Sequence, residues 1–538
     1  AWTSGGIEFN CGMIGHHPFT CSRIFACETK LDDGTPVLRM YEFERIRRCV
    51  YQMDFFLPED SKLLYARMRI VNPNREVVPM YWWTNIAVRE DKHARNVIDA
   101  TETYNNANGC VGKNPVPVHN GIDITYPTNN PVAIDYFWKI PKGARKFTSH
   151  IGEDGYGFFQ ASTSRLKGRK LFVWGQGEGG ARWQKFLTAD DADGRYVEIQ
   201  AGLAHTQYEC LPMPPLTAWE WLECYGAIKA DPDKVHGDWD TARAEVREKI
   251  NEAVSEESLE KLLVDTKPMA LRAADKMICY GSAFGKLENL RREKAGEAQM
   301  CPHLDFGEIG ENEAVWAELL EHGTLEIKDN KEAEKPPRSW MFQREWTEII
   351  EKSADCHEKY LHLAAIYIGE RRLRDAGEAI EKALTYRETA TALFILSQYH
   401  RLSGNGELAA DTALRAAALL PDDISLVRRA FEMEYSTGKY DAIVSFYNAA
   451  PASARADGRI SMYYAFALLK LGNIAGAKEV LYRDGGLAVT DIQEGEISIT
   501  NLYIEIEKAA AKQEGREFSE DEINIPAQFD FRMFVPKK

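Results

Sequence analysis

The sequence lacks any apolar run close to the roughly 20 residues that a membrane-spanning helix needs. It is also short of positive charge, because 66 Lys and Arg stand against 82 Asp and Glu, a formal net charge of −16. Nucleic acids and anionic membranes attract basic surfaces, so this balance argues against both as general partners. We therefore expect neither a nucleic acid nor a membrane as partner.

Metal-ligand spacings are missing as well. The ten cysteines include no CxxC pair and no zinc-like spacing. This favours free thiols in a reducing compartment, and we expect a cytoplasmic protein. His16 and His17 are adjacent, and adjacent histidines rarely face one ion together, so we expect neither a metal nor another cofactor.

The first part of the sequence, residues 1–230, is β-rich. Short runs of aromatic and β-branched residues alternate with Gly, Pro, Asn and Asp, as in 62–71, 77–88 and 195–201. Many short strands with turn signals and no intervening helices predict an antiparallel sandwich or barrel. The chain starts directly with Trp2 and a glycine turn instead of a polar tail, so we expect that earlier strands of this domain are absent from it.

The pattern becomes helical near Asp231, with apolar residues every three or four positions, and we predict a helical connecting region over 231–335. Pro336 and Pro337 then mark a break before a repeat region, predicted over 336–512. The remaining residues, 513–538, are predicted to form a tail docked on the protein, since they carry several apolar side chains.

The repeat is marked by glycines 35, 34 and 34 residues apart, namely Gly369, Gly404, Gly438 and Gly472. Small residues follow each of them: Ala376, Ala383, Ala409, Ala416, Ala442, Ala449 and Ala477. A period near 34, with a glycine turn between two helices and alanines where they cross, resembles the tetratricopeptide repeat. A generic array of helical hairpins is the alternative. Either array offers a surface for a protein or peptide partner.

The first candidate site lies near the start of the chain. A carboxylate, an amide and two imidazoles occur within about ten residues, as Glu8, Asn10, His16 and His17. A histidine near neutral pKa can donate or accept a proton, and a nearby carboxylate can orient it. The alternative is that the two histidines only satisfy backbone groups.

The second candidate is the strand around Trp82. Strand alternation places Tyr81, Trp83 and Asn85 on one face and Trp82 with Thr84 on the other. The first face is suited to stacking on a sugar ring and binding its hydroxyls, and the second is expected to be core.

The third candidate is the strand of residues 195–201 and the segment after it. Glu198 and Gln200 share one side of the strand, and Gln207 and Glu209 follow. These groups suit hydroxyl recognition or general base catalysis, although Glu198 in a structural role is the alternative. If Glu8 and Glu198 faced each other across a cleft, they would form a carboxylate pair of the glycosidase kind.

Three segments together resemble the DUF5107 family over residues 1 to about 225. They are Trp2 to Asn10 with His16-His17, the strand Trp82-Trp83-Thr84-Asn85, and the block from Trp174-Gly175-Gln176-Gly177 to Glu209. The resemblance implies a galactose-mutarotase-like antiparallel β-supersandwich followed by a tetratricopeptide-like α-helical superhelix. The predicted fold class is therefore a multi-domain β plus α protein.

The resemblance also assigns roles. Val197-Glu198-Ile199-Gln200 is similar to the Leu-Glu-Thr-Gln strand of mutarotases, whose glutamate is the catalytic base. Where mutarotases carry an acid histidine, this chain has Trp82-Trp83-Thr84. The acid is therefore expected from His16 or His17, and simple mutarotation is in doubt.

The leading hypothesis is a carbohydrate-active protein. We expect a glycoside hydrolase in preference to an aldose epimerase. Glu198 is its acid or base, and Glu8, His17 or His16 is the counterpart. Six groups are predicted to bind the sugar: Asn10, Trp83, Asn85, Gln200, Gln207 and Glu209. The alternative is a non-catalytic glycan-binding or scaffold protein whose repeats mediate protein interaction, and an oligomer is left open.

Overall fold

The computed structural model describes residues 6–107, 110–188, 194–520 and 523–533. The opening segment from Trp2 to Gly5 lies outside the described residues. The chain divides into two compact units, one built from the residues up to Ile309 and the other from Gly310–Arg532. No helix within the described ranges is both long and apolar enough to cross a membrane.

The first unit is built mainly from strands. In chain order, β1 to β20 are Ile7–Cys11, Phe25–Lys30, Pro36–Glu44, Cys49–Phe56, Leu64–Asn72, Val78–Met80, Trp82–Arg89, Arg95–Val97, Glu102–Ala107, Cys110–Pro115, Val118–His119, Ile122–Asp123, Ile134–Trp138, Phe147–Ile151, Tyr156–Ser162, Gly168–Val173, Tyr196–Gly202, Leu211–Met213, Thr217–Lys229 and Lys276–Cys279. Its helices α1 to α6 are Glu178–Leu187, Pro232–Val235, Trp239–Ala253, Glu256–Asp265, Lys267–Ala270 and Phe284–Lys294, and a 3-10 turn covers Pro127–Asn129.

Two large antiparallel sheets form the sandwich. One has seven strands in the order β1-β7-β17-β16-β13-β9-β10, and the other has nine in the order β20-β2-β3-β4-β5-β19-β15-β14-β8. Two short ribbons, β11-β12 and β18-β6, complete the described sheets. The order within each large sheet departs from chain order, so strands distant in sequence become neighbours.

The core lies between the inner faces of these sheets. Trp82 of β7 meets Trp221 of β19 edge to face, with ring centroids 5.2 Å apart. Ile86, Val197 and Ile199 pack into the same buried cluster. Aromatic and β-branched side chains at every second position of a strand are what a two-sheet core requires.

A helix lies within the region that was predicted to have none. Helix α1 contains Gly179 and Gly180, which lower its intrinsic helix propensity, and this hid it in the sequence. Packing compensates, because Trp183 is buried and stacks on Trp174 with ring centroids 6.5 Å apart. A Cβ at Gly180 would lie 2.1 Å from the carbonyl oxygen of Trp174, so the glycine permits the close approach.

Residues 231–309, which include most of the predicted connecting region, pack on the sandwich. Strand β20 pairs with β2 at the edge of the nine-stranded sheet. The buried Arg39 of β3 donates to the carbonyl oxygens of Met269 and Arg272, at 2.9 and 2.6 Å. Because these contacts hold residues 231–309 on the sheet, the boundary between the two units lies at Ile309. The sequence predicted boundaries at 230 and 335.

The second unit is helical. Helices α7 to α19 are Ala314–His322, Asn330–Ala333, Arg344–Lys352, His357–Gly369, Leu373–Tyr386, Ala390–Leu402, Gly406–Leu419, Ile424–Ser436, Tyr440–Ala449, Ala452–Ala456, Gly458–Lys470, Ile474–Tyr482 and Ser498–Glu514. Two 3-10 turns cover Arg483–Gly485 and Ala527–Phe529. Four hairpins follow one another in this list: α10/α11, α12/α13, α14/α15 and α17/α18.

The turn of each hairpin contains one residue with positive φ, two positions before the second helix. Gly404, Gly438 and Gly472 occupy this position with φ of 84°, 77° and 84°. In the first hairpin Arg371 takes it, with φ of 61°, whereas Gly369 is the last residue of α10. Gly369 was therefore wrongly placed in the glycine series, since a left-handed turn position favours glycine but does not require it.

The residue five positions after the turn is buried in each hairpin. Ala376, Ala409 and Ala477 are fully buried there, and Ile443 takes the place in the third hairpin. Ala442 is one position away and half-buried, so it does not serve as a crossing alanine. Small buried side chains let paired helices approach closely.

The end of the chain contacts the last helix. Phe529 is buried between Tyr482 and Tyr503, with ring centroids 5.2 and 5.7 Å away. Thr500 donates its hydroxyl to the carbonyl oxygen of Phe529 at 2.7 Å. Within the predicted tail 513–538, residues 521–522 and 534–538 lie outside the described residues.

Candidate functional site

A row of polar side chains crosses the outer face of the seven-stranded sheet. Glu8 of β1 pairs with Asn85 of β7, Asn85 with Gln200 of β17, and Gln200 with Lys170 of β16. Directly paired residues point to the same side of a sheet, so these four share a face. Glu198 lies on that face too, two positions before Gln200. The sheet thus brings together residues from four separate parts of the sequence.

Glu198 is held by two amides. Asn85 Nδ2 and Gln200 Nε2 both donate to Glu198 Oε2, each at 2.9 Å. The residue keeps 8% of its surface exposed, while Asn85 and Gln200 are buried. Two donors on one oxygen fix the plane and direction of the carboxylate, as a site for proton transfer requires.

A relay of hydrogen bonds sets the direction of these amides. Lys170 Nζ donates to Gln207 Oε1 at 2.7 Å, and Gln207 Nε2 donates to Gln200 Oε1 at 2.8 Å. Because an ammonium group only donates, Gln207 directs its amide oxygen toward Lys170. Gln207 then presents its nitrogen to Gln200, and Gln200 presents its nitrogen to Glu198. Lys170 also forms an ion pair with Asp135 at 2.7 Å.

Sequence reasoning missed Lys170. Its signal was a lysine directly before the apolar residues Leu171-Phe172-Val173, in a strand that the structure buries throughout. A charged side chain in such a strand needs a partner, and here both partners are distant in sequence.

At the edge of the row, Glu8 binds His16. Both carboxylate oxygens of Glu8 lie near His16 Nδ1, at 3.0 and 3.1 Å, and Thr20 donates to Glu8 Oε1 at 3.4 Å. The hydrogen bond from Glu8 raises the pKa of His16, and the negative charges of Glu8 and Glu198 add to the effect, while partial burial opposes it.

His17 is engaged differently. Its Nε2 lies 2.8 Å from Glu44 Oε1, and the backbone N–H of Phe19 donates to its Nδ1 at 3.1 Å. Nδ1 is therefore an acceptor, so the ring proton is on Nε2 and points to Glu44. Asn10 Oδ1 accepts from the backbone N–H of His17 at 3.1 Å, which makes Asn10 part of the same loop support.

Trp83 lies on the polar face but is 1% exposed. Its indole lies across Gly202, where a Cβ would be 2.2 Å from Trp83 Cε2. Phe137 packs on it edge to face, with ring centroids 6.0 Å apart. In this arrangement Trp83 is packed beneath the polar side chains of the face. Its stacking on a sugar stays a prediction.

Glu209 lies in the loop that carries Gln207. Its Oε2 accepts from the backbone N–H and the hydroxyl of Thr206, at 3.1 and 3.2 Å. The carboxylate thereby shapes the loop from which Gln207 reaches Gln200. Of the predicted sugar-binding residues, Asn85, Gln200 and Gln207 lie in the hydrogen-bonded network around Glu198.

Within the described ranges, no group of three or more His, Cys, Asp or Glu side chains is placed to hold a metal ion.

Residues 1–217 match the model of DUF5107, which is described as a domain of unknown function. The match covers most of the β-rich part of this chain, which is therefore similar to DUF5107 domains. The resemblance noted in the sequence is thus confirmed. The site around Glu198 lies wholly within the DUF5107 domain.

Solved structures are similar to the chain at low sequence identity. A TPR-domain containing protein from Parabacteroides distasonis matches with TM-score 0.61 and 15% identity, over 98% of this chain and 80% of that one. A putative aldose 1-epimerase from Escherichia coli matches with TM-score 0.29 and 11% identity, over 38% of this chain and 68% of that one. A galactose mutarotase-like protein from Clostridium acetobutylicum has the same TM-score and identity, over 40% and 69%.

The match to the TPR-domain containing protein extends over nearly the whole chain, so it covers both units. Together with the two antiparallel sheets and the helical hairpins, it confirms the predicted fold class of a DUF5107 β-sandwich followed by a tetratricopeptide-like array.

Proposed function

We propose that the DUF5107 domain performs acid–base chemistry at the anomeric centre of a sugar bound on the outer face of the seven-stranded sheet. The observation that carries this proposal is the Glu198 carboxylate, fixed by Asn85 and Gln200 and electrostatically coupled to the His16–Glu8 pair. A fixed carboxylate and an imidazole of raised pKa are a base and an acid.

In the proposed reaction Glu198 takes the proton of the anomeric hydroxyl while His16 donates a proton to the ring oxygen. The bond between the anomeric carbon and the ring oxygen breaks, and an open-chain aldehyde forms. Reclosure on the other face of the carbonyl reverses both proton transfers, so both groups return to their starting states. The amides of Gln200 and Gln207 bind the neighbouring hydroxyls.

The surroundings of Glu8 and His17 support this choice of roles. Glu8 directs both oxygens at His16, so it supports an imidazolium instead of acting as the second carboxylate of a glycosidase. Both ring nitrogens of His17 are engaged, by Glu44 and by the backbone of Phe19. These contacts favour ring opening of a free sugar over hydrolysis of a glycoside, the reaction favoured from the sequence.

The decisive experiment compares the parent protein with Glu198→Gln on two substrate sets. Polarimetry of freshly dissolved α-D-glucose and α-D-galactose measures ring opening, and 4-nitrophenyl glycosides measure hydrolysis. We expect faster mutarotation by the parent and a loss of about 10²-fold or more in the variant, the usual contribution of a general base. Glu102→Gln, on the same sheet but paired with Lys139, is the matched control and should retain the activity.

Two other outcomes would replace the proposal. Release of nitrophenol that depends on Glu198 would restore the glycoside hydrolase hypothesis. Sugar binding without turnover in either assay would favour the non-catalytic glycan-binding hypothesis.

The helical unit supports a second candidate function, the binding of a protein or peptide partner. Its support is the series of hairpins with a common turn position and a common crossing position. Such arrays present extended surfaces to partners. The test is whether residues 310–538 alone retain an interaction found with the full chain. A cytoplasmic location belongs to the same proposal, supported by ten cysteines that are all free thiols.

A further inference from the structure

A cavity lies at the far end of the seven-stranded sheet, on the face opposite the Glu198 site. The strand register shows on which side it lies. Phe137 pairs with Lys170 and with Tyr104, so Phe137 and Tyr104 share the face of the Glu198 site. Their neighbours Tyr136 and Asn105 therefore point to the other side. The cavity encloses about 470 Å³, within the usual range for small-molecule sites.

Its walls come from separate segments of the chain. The β9–β10 hairpin supplies Asn105, Gly112 and Asn114, since Asn105 pairs with Gly112 and Thr103 with Asn114. The β11–β12 hairpin and the following segment supply an aliphatic floor, which comprises Ile122, Ile124, Val132 and Ile134. Tyr136 closes the base and donates its hydroxyl to Asn130 Oδ1 at 2.7 Å.

The polar groups of this wall are amides and one imidazole. Asn120 Nδ2 donates to His119 Nε2 at 3.1 Å, which places the ring proton on Nδ1. Asn114 Nδ2 is a buried donor with no hydrogen-bond partner among the described residues. Because a buried amide without a partner costs free energy, this donor is available to an acceptor that enters the cavity.

The charge of the lining restricts the ligand. No Asp, Glu, Lys or Arg occurs among the described residues that line the cavity. An anionic or cationic ligand would lose its hydration without gaining a counter-charge. Carboxamides both donate and accept, as hydroxyl groups do, and an aliphatic floor suits the C–H face of a ring.

We propose that this cavity, defined by Asn105, Gly112, Asn114, His119 and Asn120, is a second carbohydrate site that binds a neutral monosaccharide unit. It is separate from the Glu198 face and does not depend on catalysis there. The unit is either a free sugar or the terminal residue of a longer glycan, and both have the same hydroxyl chemistry.

The test uses the full chain with ¹⁵N-labelled asparagine side chains. The Asn114 amide signal is assigned by its absence in Asn114→Leu. Glucose, galactose and mannose are then titrated, together with methyl glycosides as models of a glycan terminus, and with glucuronate and glucose 6-phosphate as charged counterparts. We expect a neutral sugar to shift the Asn114 signal with a Kd on the order of 1 mM, as for a monosaccharide-sized ligand.

A blocking variant and a matched control localise the effect. At Gly112 a Cβ would meet only Asn105 Oδ1, at 3.2 Å, so Gly112→Phe fills the cavity without a backbone clash. Val111 points to the other face of the same strand and is exposed, which makes Val111→Phe the control. We expect at least about tenfold weaker binding in Gly112→Phe and unchanged binding in Val111→Phe, with thermal midpoints measured for each.

The outcomes separate clearly. A shift of the Asn114 signal that persists in Glu198→Gln supports the second site, whatever the fate of the proposed catalysis. A methyl glycoside that binds more tightly than the free sugar identifies the glycan terminus as the source. The proposal fails if no neutral sugar shifts the Asn114 signal, if the charged sugars bind equally well, or if Gly112→Phe binds like the parent.

Discussion

Thr84 and Asn85 are neighbours in β7, and each donates a hydrogen bond to a glutamate on its own side of the seven-stranded sheet. Thr84 donates to Glu223 Oε1 at 3.0 Å on the core face, and Asn85 donates to Glu198 on the outer face. The first glutamate is fully enclosed, whereas the second keeps a small exposed surface. One position along a strand therefore separates a donor to an enclosed glutamate from a donor to the glutamate of the proposed site.

The two carboxyl groups differ in their surroundings. Glu223 also accepts from Trp221 at 3.0 Å, Gln160 at 2.8 Å and Tyr225 at 3.0 Å, so both of its oxygens are bound in the core. Burial raises its pKa. Glu198 accepts from Asn85 and Gln200 at Oε2 and keeps a small exposed surface. Glu223 is thus enclosed in the core, whereas Glu198 lies on the outer face where we propose the acid–base chemistry.

The largest expected effect is on the core side of this comparison. Glu223→Leu removes the acceptor of four buried donors, and we expect a loss of about 3–5 kcal/mol in the free energy of unfolding. Urea unfolding followed by tryptophan fluorescence measures it. Glu198→Gln serves as its counterpart, with stability within about 0.5 kcal/mol of the parent. Equal destabilisation by both changes would remove the distinction between the two faces.

A smaller effect is expected at the next pair of neighbours, Ile199 and Gln200. Ile199→Ala leaves a cavity in the core and should cost about 2–4 kcal/mol of stability, with little change in kcat. Gln200→Ala removes a donor to Glu198 and should cost about 1 kcal/mol while lowering kcat roughly tenfold or more. Calorimetry and polarimetry on the same samples test both, and a reversed pattern would contradict the assignment of faces.

Lys170 tests whether the relay positions Glu198. Lys170→Met leaves the amides of Gln207 and Gln200 free to reverse, and we expect a fall in kcat of roughly tenfold with a smaller change in KM. Lys113→Met, on an exposed strand of the same sheet, is the control. A change confined to thermal stability would mean that Lys170 only supports the fold.

The smallest expected effect is a shift in pH dependence. His16 must be protonated to act as the acid, and the hydrogen bond to Glu8 raises its pKa, so activity is retained to higher pH and is lost as pH rises through that value. Glu8→Gln removes the negative charge, lowers the pKa of His16 and should move the alkaline limb of kcat/KM to lower pH. A limb that stays in place would exclude His16 as the acid.

The sequence predicted several of these elements for definite physical reasons. Alternation along β7 assigned Trp82 and Thr84 to one face and Trp83 and Asn85 to the other, because successive side chains of a strand point in opposite directions. The near-constant glycine spacing predicted the helical repeats, although it misplaced the first turn. There Arg371 adopts the left-handed conformation that glycine adopts in the other three hairpins.

Other features could not be derived in the same way. Helix α1 depends on the packing of Trp183 on Trp174, which outweighs two glycines of low helix propensity. His16 and His17 are equivalent as sequence, and only their surroundings, Glu8 for one and Glu44 for the other, give them different roles.

The sequence by itself determined the kinds of element in each region and which faces of the strands are polar, because periodicity and turn chemistry are local properties. Only the tertiary structure decided which polar residues meet. The strand order β1-β7-β17-β16 places Glu8, Asn85, Gln200 and Lys170 in one row, although they lie up to 192 residues apart in the chain. Hydrogen bonds between such residues depend on strand register, and register is set by the packing of the whole sandwich.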